Sequence, residues 1–179
     1  MSATATVAKE RLILCSGPYV CEGFKTLDAN PEFKPDYCVL LPPLPREMRN
    51  GRWDEIYLIH GIEHFAIWEA VELLPQIHEA LVPGGLLVLE QPNLEVAAKV
   101  FLGLMPPMTA DPLASGIKAI YGDPRFGNPL MGHKWGWTPS SLTGALIDAG
   151  FSSERIKVGE ALSRKGFADG RDFRIEATK

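Results

Sequence analysis

Apolar residues fall into short runs divided by turn-forming clusters. Residues 11–15 (RLILC) stop at Ser16-Gly17-Pro18, residues 24–28 (FKTLD) end in an acid, and residues 36–41 (DYCVLL) stop at Pro42-Pro43. Residues 55–60 and 86–91 form two further runs. Continuous apolar stretches of this length predict strands buried on both faces of a parallel sheet. Helical periodicity alternates with them. Ile67, Val71, Leu74, Ile77 and Leu81 make one stripe, in which Pro75 should kink or split the helix. Thr138-Pro139 reads as an N-cap followed by proline at the first helical position, and Gly150 as the stop after Leu142, Ala145, Leu146 and Ala149. Residues 155–158 and 173–177 are two last strand candidates around GFADGRD. The predicted architecture is an α/β, reduced Rossmann-like doubly wound sheet of about seven strands, mostly parallel with an antiparallel C-terminal strand.

Two features modify this picture. Only residues 16–23 separate the first strand from the second, and only 29–35 the second from the third. A parallel crossover normally takes about a dozen residues or more, so the helices there must be absent or reduced to single turns. The thin cover this leaves predicts self-association, with a homodimer the simplest case. Residues 94–134 are long for a connection and rich in Gly and Pro, which reads as a lid-like insertion in a single domain spanning 1–179.

The chain of 179 residues carries 46% hydrophobic and 22% charged residues and a net charge of −4, ordinary values for a globular protein. No basic stripe suggests nucleic acid and no apolar run is long enough to span a membrane. The N-terminus does not read as a signal peptide. Cys15, Cys21 and Cys38 are odd in number and lack metal-type spacing, which suits free thiols in the cytoplasm and no metal centre.

The candidate chemistry sits where strands end, the usual ligand position in an open parallel sheet. Asp54, Ile56, His60, Glu63 and His64 give D-x-I-x-x-x-H-x-x-E-H. Leu81, Pro83, Gly84, Gly85, Leu87, Pro92 and Asn93 then give L-x-P-G-G-x-L-x-x-x-x-P-N. In combination these resemble class I S-adenosylmethionine-dependent methyltransferases of a compact type, with Cys15 where the first glycine of the usual G-C-G would stand. The resemblance implies S-adenosylmethionine as cofactor and a small-molecule or saccharide acceptor. It implies Ser16, Gly17, Asp28, Leu41, His60 and Glu63 around the cofactor, with Asp28 on the ribose hydroxyls. Leu40 or Leu41 replaces the acid often found near the adenine. His64 and His133 are candidate bases. Tyr121, Trp135, Gln91 and Asn93 are candidate acceptor contacts, and Met105 and Met108 could face the pocket. Each has a plain structural alternative: Gly17 an ordinary turn, Glu63 and His64 anchors of the next helix, the tryptophans staples for the lid, His78 a solvated side chain. A methyltransferase-like binding or assembly subunit without catalysis is the second functional reading.

Overall fold

The computed structural model describes residues 9–107, 111–162 and 170–179, so Met108 and most of the GFADGRD turn lie outside the described residues. Its strands are β1 (Arg11–Leu14), β2 (Lys25–Asp28), β3 (Tyr37–Cys38), β4 (Trp53–Ile59), β5 (Leu81–Pro92), β6 (Ile156–Glu160) and β7 (Asp172–Thr178). They form one sheet in the order β3-β2-β1-β4-β5-β7-β6. The pairs from β3 through β5 are parallel, and β7 runs antiparallel to both β5 and β6. This is the predicted reduced doubly wound sheet.

The short connections carry no α-helix. Between β2 and β3 there is only a 3-10 turn, Pro31–Phe33, started by the Asn30 side chain accepting the Glu32 N–H. β3 shrinks to two residues because the chain turns away into Pro42-Pro43. The expectation of strands buried on both faces is overturned for β1 and β4. Leu12, Leu14, Ile56 and Leu58 are fully buried, whereas Ile13, Tyr57 and Ile59, which point the other way, are half-buried. With no crossover helix, that second face is covered only by side chains such as Phe24, whose ring meets Tyr57 edge to face at 4.9 Å. β5, at the centre, is buried on both faces from Leu87 to Pro92.

The other face is closed by two helices. α1 (Ile67–Ala80) buries Leu73, Leu74 and Ile77, and α5 (Pro139–Asp148) buries Leu142 and Leu146. Pro75 does not split α1, contrary to the sequence reading. The carbonyl it leaves without a partner belongs to exposed Val71, where water can reach it. α1 starts without a side-chain acceptor at Ala66. Glu69 reaches back to accept the Ala66 N–H at 2.7 Å, and also pairs with Lys134. His78 is packed rather than solvated: its ring meets Phe151 edge to face at 4.8 Å. Burial, reinforced by the Lys179 charge, holds its pKa below the usual histidine value. Between β5 and α5 lie α2 (Leu94–Phe101), α3 (Pro112–Ser115) and α4 (Ile117–Tyr121).

The Pro-Gly-Gly segment belongs to β5. Trp53 pairs with Leu81 but Glu55 with Leu86, so the residues between bulge out of the ladder. A Cβ on Gly85 would stand 2.9 Å from the Val82 carbonyl oxygen and 3.0 Å from that of Trp53. Gly85→Ala should therefore destabilise the protein by about 1–3 kcal/mol, the cost of overpacking against backbone that cannot yield. Gly144, in α5, has open space at its Cβ, and Gly144→Ala should stabilise by roughly 0.5–1 kcal/mol. Urea denaturation measures both; a neutral Gly85→Ala would contradict the assigned bulge.

Candidate active site

The carboxyl ends of β1, β2, β4 and β5 meet at one edge of the sheet. At the end of β1 the chain turns through Cys15, whose φ of 51° is left-handed, into Ser16 and Gly17. The turn is tied to β2 twice. The Ser16 N–H donates to the Leu27 carbonyl at 3.1 Å, and the Gly17 N–H donates to Asp28 Oδ2 at 2.8 Å. Asp28 Oδ1 accepts the Asn30 N–H at 2.8 Å. Asp28 thus organises the loops after both strands, and each of its oxygens keeps a further lone pair for a ligand. Burial, with the Asp28 and Glu63 charges adding to it, pushes the Cys15 thiol up to about 12.

β4 ends in a second left-handed residue, His60, at φ 50°. Non-glycine residues there cost of order 1–3 kcal/mol each and persist where surroundings hold them. Gly61 follows because nothing larger fits. A Cβ on it would lie 2.3 Å from the Leu58 side chain and 3.1 Å from Cys15 Cβ, so β1 and β4 close directly on each other. A 3-10 turn, Ile62–His64, then presents Glu63 and His64. His60 Nδ1 lies 3.3 Å from Glu63 Oε1, and its Nε2 lies 3.6 Å from Asp172 Oδ2 on β7. Glu63 is 3% exposed. Burial alone would raise its carboxyl pKa; the His60 hydrogen bond, with the charges of His60, His64 and His133, brings it below the usual range.

The returning lid closes this corner. The Lys134 and Trp135 N–H groups donate to the Glu63 carbonyl at 2.8 and 3.3 Å. His64 Nδ1 is 3.2 Å from the Gly132 carbonyl, and His133 Nδ1 is 3.0 Å from that of Ala119. The two imidazoles meet edge to face at 5.1 Å. Burial holds the His133 pKa below its ordinary value, against the pull of Glu63. A cavity of about 460 Å³ opens between β5 and α5 in sequence, lined by Leu113, Ile117, Tyr121 and Met131 and reaching Gly132, the neighbour of His133.

The fold thus gathers Ser16, Gly17 and Asp28 into one hydrogen-bonded turn, and His60, Glu63, His64 and His133 into one polar corner. Tyr121 lines the lid cavity and is 66% exposed. Trp135 is partly exposed, while Trp137 is buried and packs edge to face on it at 6.5 Å. Leu41 packs into the core and Leu40 is exposed. Gln91 is fully buried with neither end of its amide paired. Asn93 is taken up as the N-cap of α2, accepting the Glu95 N–H. Sequence reasoning missed Arg171 and Asp172, a buried pair at 2.6 Å at the start of β7, and Arg174, which pairs with Glu90 at 2.7 Å. Only the alternation of charge with apolar residues along β7 hinted at them.

The sheet order and antiparallel β7 define the fold of class I S-adenosylmethionine-dependent methyltransferases. One solved structure, an S-adenosylmethionine-dependent methyltransferase from Archaeoglobus fulgidus, is 14% identical with a TM-score of 0.60, covering 96% of this chain and 86% of that one. Another, from Mesorhizobium loti, is 15% identical with a TM-score of 0.59 over 96% and 91% of the two chains. A third is a Burkholderia thailandensis 1,6-didemethyltoxoflavin-N1-methyltransferase bound to its substrate and S-adenosylhomocysteine. It is 12% identical with a TM-score of 0.58, over 96% and 71%. No protein-family model matches the chain, and no curated protein does.

The thiolate is the reactive form of cysteine, so the three thiols should separate by environment. Iodoacetamide at pH 8 should alkylate the exposed Cys21 and Cys38 and spare Cys15 until the protein is unfolded. Mass spectrometry counts the adducts; rapid native labelling of Cys15 would contradict the closed β1–β4 corner.

Proposed function

We propose that this chain is an S-adenosylmethionine-dependent methyltransferase acting on a small molecule or saccharide. The observation that carries the reading is Asp28. Its carboxylate stands at the end of β2, bonded to the Gly17 turn, in a sheet of methyltransferase order. The residues fit the cofactor. Asp28 has lone pairs left for the ribose hydroxyls, the turn at Gly17 allows close approach of backbone, and the buried Nε2 of His60 has no hydrogen-bond partner among the described residues. Ser16, Gly17, Asp28, His60 and Glu63 would hold it, with apolar contact from the Leu40-Leu41 segment in place of an acid. When bound, the cofactor supplies a methyl group on a positively charged sulfur. The chain's own task is then to align an acceptor and exclude water, which supplies much of the rate without an obligatory base. As a base His64 would accept a proton at Nε2, since its Nδ1–H donates to the Gly132 carbonyl.

The acceptor would enter from the lid cavity, with Tyr121 as one wall, Trp135 near the tethered end, and Gln91 as a buried polar group without a partner. Residues 94–134 would act as the lid, held at its far end by the Glu63 carbonyl. Free thiols suit a cytoplasmic setting. The second reading, a methyltransferase-like binding or assembly subunit without catalysis, is favoured by one feature: Asp28 already satisfies the Gly17 N–H internally.

Calorimetry with S-adenosylmethionine and S-adenosylhomocysteine separates the two readings, since absence of binding to both at millimolar ligand would leave only the second. Asp28→Ala should weaken binding by about 1–3 kcal/mol, the range for lost hydrogen bonds to a charged group. We infer also that the chain forms a homodimer through the half-covered face of β1 and β4, which carries Ile13 and Tyr57, with the strongly exposed Tyr19 and Val20 in the loop that follows β1. Light scattering should give a mass near twice 19.7 kDa; a monomer at micromolar concentration would rule the dimer out.

A further inference from the structure

We propose that Glu63, His64 and His133 form a binding site for a divalent first-row transition metal ion. One carboxylate oxygen of Glu63 and one ring nitrogen of each histidine lie within 4.8 Å of one another. Ligands about 2.0–2.2 Å from a tetrahedral ion stand about 3.4 Å apart, so small side-chain rotations close the shell. Two imidazoles and one carboxylate are the donor set of open zinc and non-haem iron sites, in which further positions remain for water or substrate. Magnesium and calcium prefer an all-oxygen shell, so the class is a transition metal.

Two independent observations point to a ligand. The first is orientation. His64 Nδ1 faces the Gly132 carbonyl and His133 Nδ1 faces the Ala119 carbonyl. An N–H on each Nδ1 fixes the tautomer that leaves Nε2 with a lone pair, the arrangement that metal-bound histidines adopt. Neither carbonyl comes from the helix or strand that each ring belongs to, so the fold itself aims both rings. The second is an unmet need. Among the described residues Glu63 Oε2 has no hydrogen-bond partner, although the residue is only 3% exposed. A buried carboxylate oxygen left bare is costly, and a cation satisfies it. Oε1 meanwhile faces His60 Nδ1, which steadies the carboxylate as an orienting neighbour does. The sequence offered no sign of this set, because its members come from a 3-10 turn and a distant loop.

The ion would sit close to Gly132, which lines the cavity and whose carbonyl faces His64. Its open positions would receive oxygen ligands of the acceptor, which narrows the acceptor class to hydroxyl- or carboxylate-bearing molecules. That last step rests on the methyltransferase reading; the metal site itself does not.

The test uses the full chain, stripped with a chelator and titrated with Co²⁺. One equivalent should bind with visible absorption bands, and Zn²⁺ should displace it and raise the melting temperature of the wild type. His64→Ala, His133→Ala and Glu63→Gln should each weaken Co²⁺ binding about 100-fold or more, beyond the loss of an orienting neighbour. Melting of each metal-free variant shows that it is folded. A wild type that shows no saturable Co²⁺ signal at millimolar metal overturns the proposal. Unchanged affinity in a folded His64→Ala/His133→Ala variant does the same. S-adenosylhomocysteine titration of the metal-free protein runs in parallel. Binding of that ligand without metal binding sinks the metal site alone, and the reverse sinks the cofactor reading alone.

Discussion

A parallel strand pair needs a connection that climbs back along the sheet, and here the connections from β1 to β2 and β2 to β3 are too short to hold a helix. The rest of the architecture follows from that. The sheet can bury only one face around β1, so its core is built from the leucines that point toward α1 and α5. Strands on that side must approach closely, which is why Gly61 sits between Leu58 and Cys15. The loops after β1 and β2, with no helix to anchor them, are fixed instead by one carboxylate. Asp28 accepts the Gly17 and Asn30 N–H groups and thereby replaces a layer of packing with two charge-assisted hydrogen bonds.

The opposite economy holds at the ends of β4, β5 and β7. There the chain buries Glu63, Glu90, Gln91, Arg171 and Asp172, with half-buried His60 and Arg174 against them. Two pairs are well made, Glu90–Arg174 and Arg171–Asp172. Others are not: both amide atoms of Gln91, Glu63 Oε2 and Asp172 Oδ1 lack partners. A fold that wanted only stability would replace such groups with hydrocarbon. Unpaired polar atoms and the left-handed residues Cys15 and His60 thus gather at the same edge of the sheet.

Much of the fold was legible from the sequence because its strong signals are local. Apolar runs ending in Ser16-Gly17, Asp28 and His60 placed three strand ends, and Thr138-Pro139 with Gly150 placed α5 almost to the residue. Where local signals competed, the outcome turned on tertiary context. Pro75 could not break α1 because the freed carbonyl faces solvent, while Leu73, Leu74 and Ile77 hold both halves against the sheet. Apolar runs in β1 and β4 suggested burial on two faces, yet burial depends on whether a helix arrives, and periodicity within the strand does not report that. The site divides the same way. Asp28 and Gly17 could be paired from strand ends alone. The meeting of His64 with His133 could not, because it depends on how the lid folds back and on which carbonyls receive each ring. Asp172 reaches His60 only through the antiparallel return of β7.

Glu63 joins these two halves, and its bonding explains how they can communicate. Its side chain faces His60, at the end of β4, and its carbonyl carries Lys134 and Trp135, where the lid returns to the fold. The next residue, His64, touches the lid through Gly132, and Lys134 reaches α1 at Glu69. The 3-10 turn is therefore clamped from both sides: by a rigid strand end and by the base of a segment that lines a cavity. A turn of three residues has little internal slack. The end of β4 and the segment that lines the cavity are thus joined through one backbone carbonyl and one buried acid.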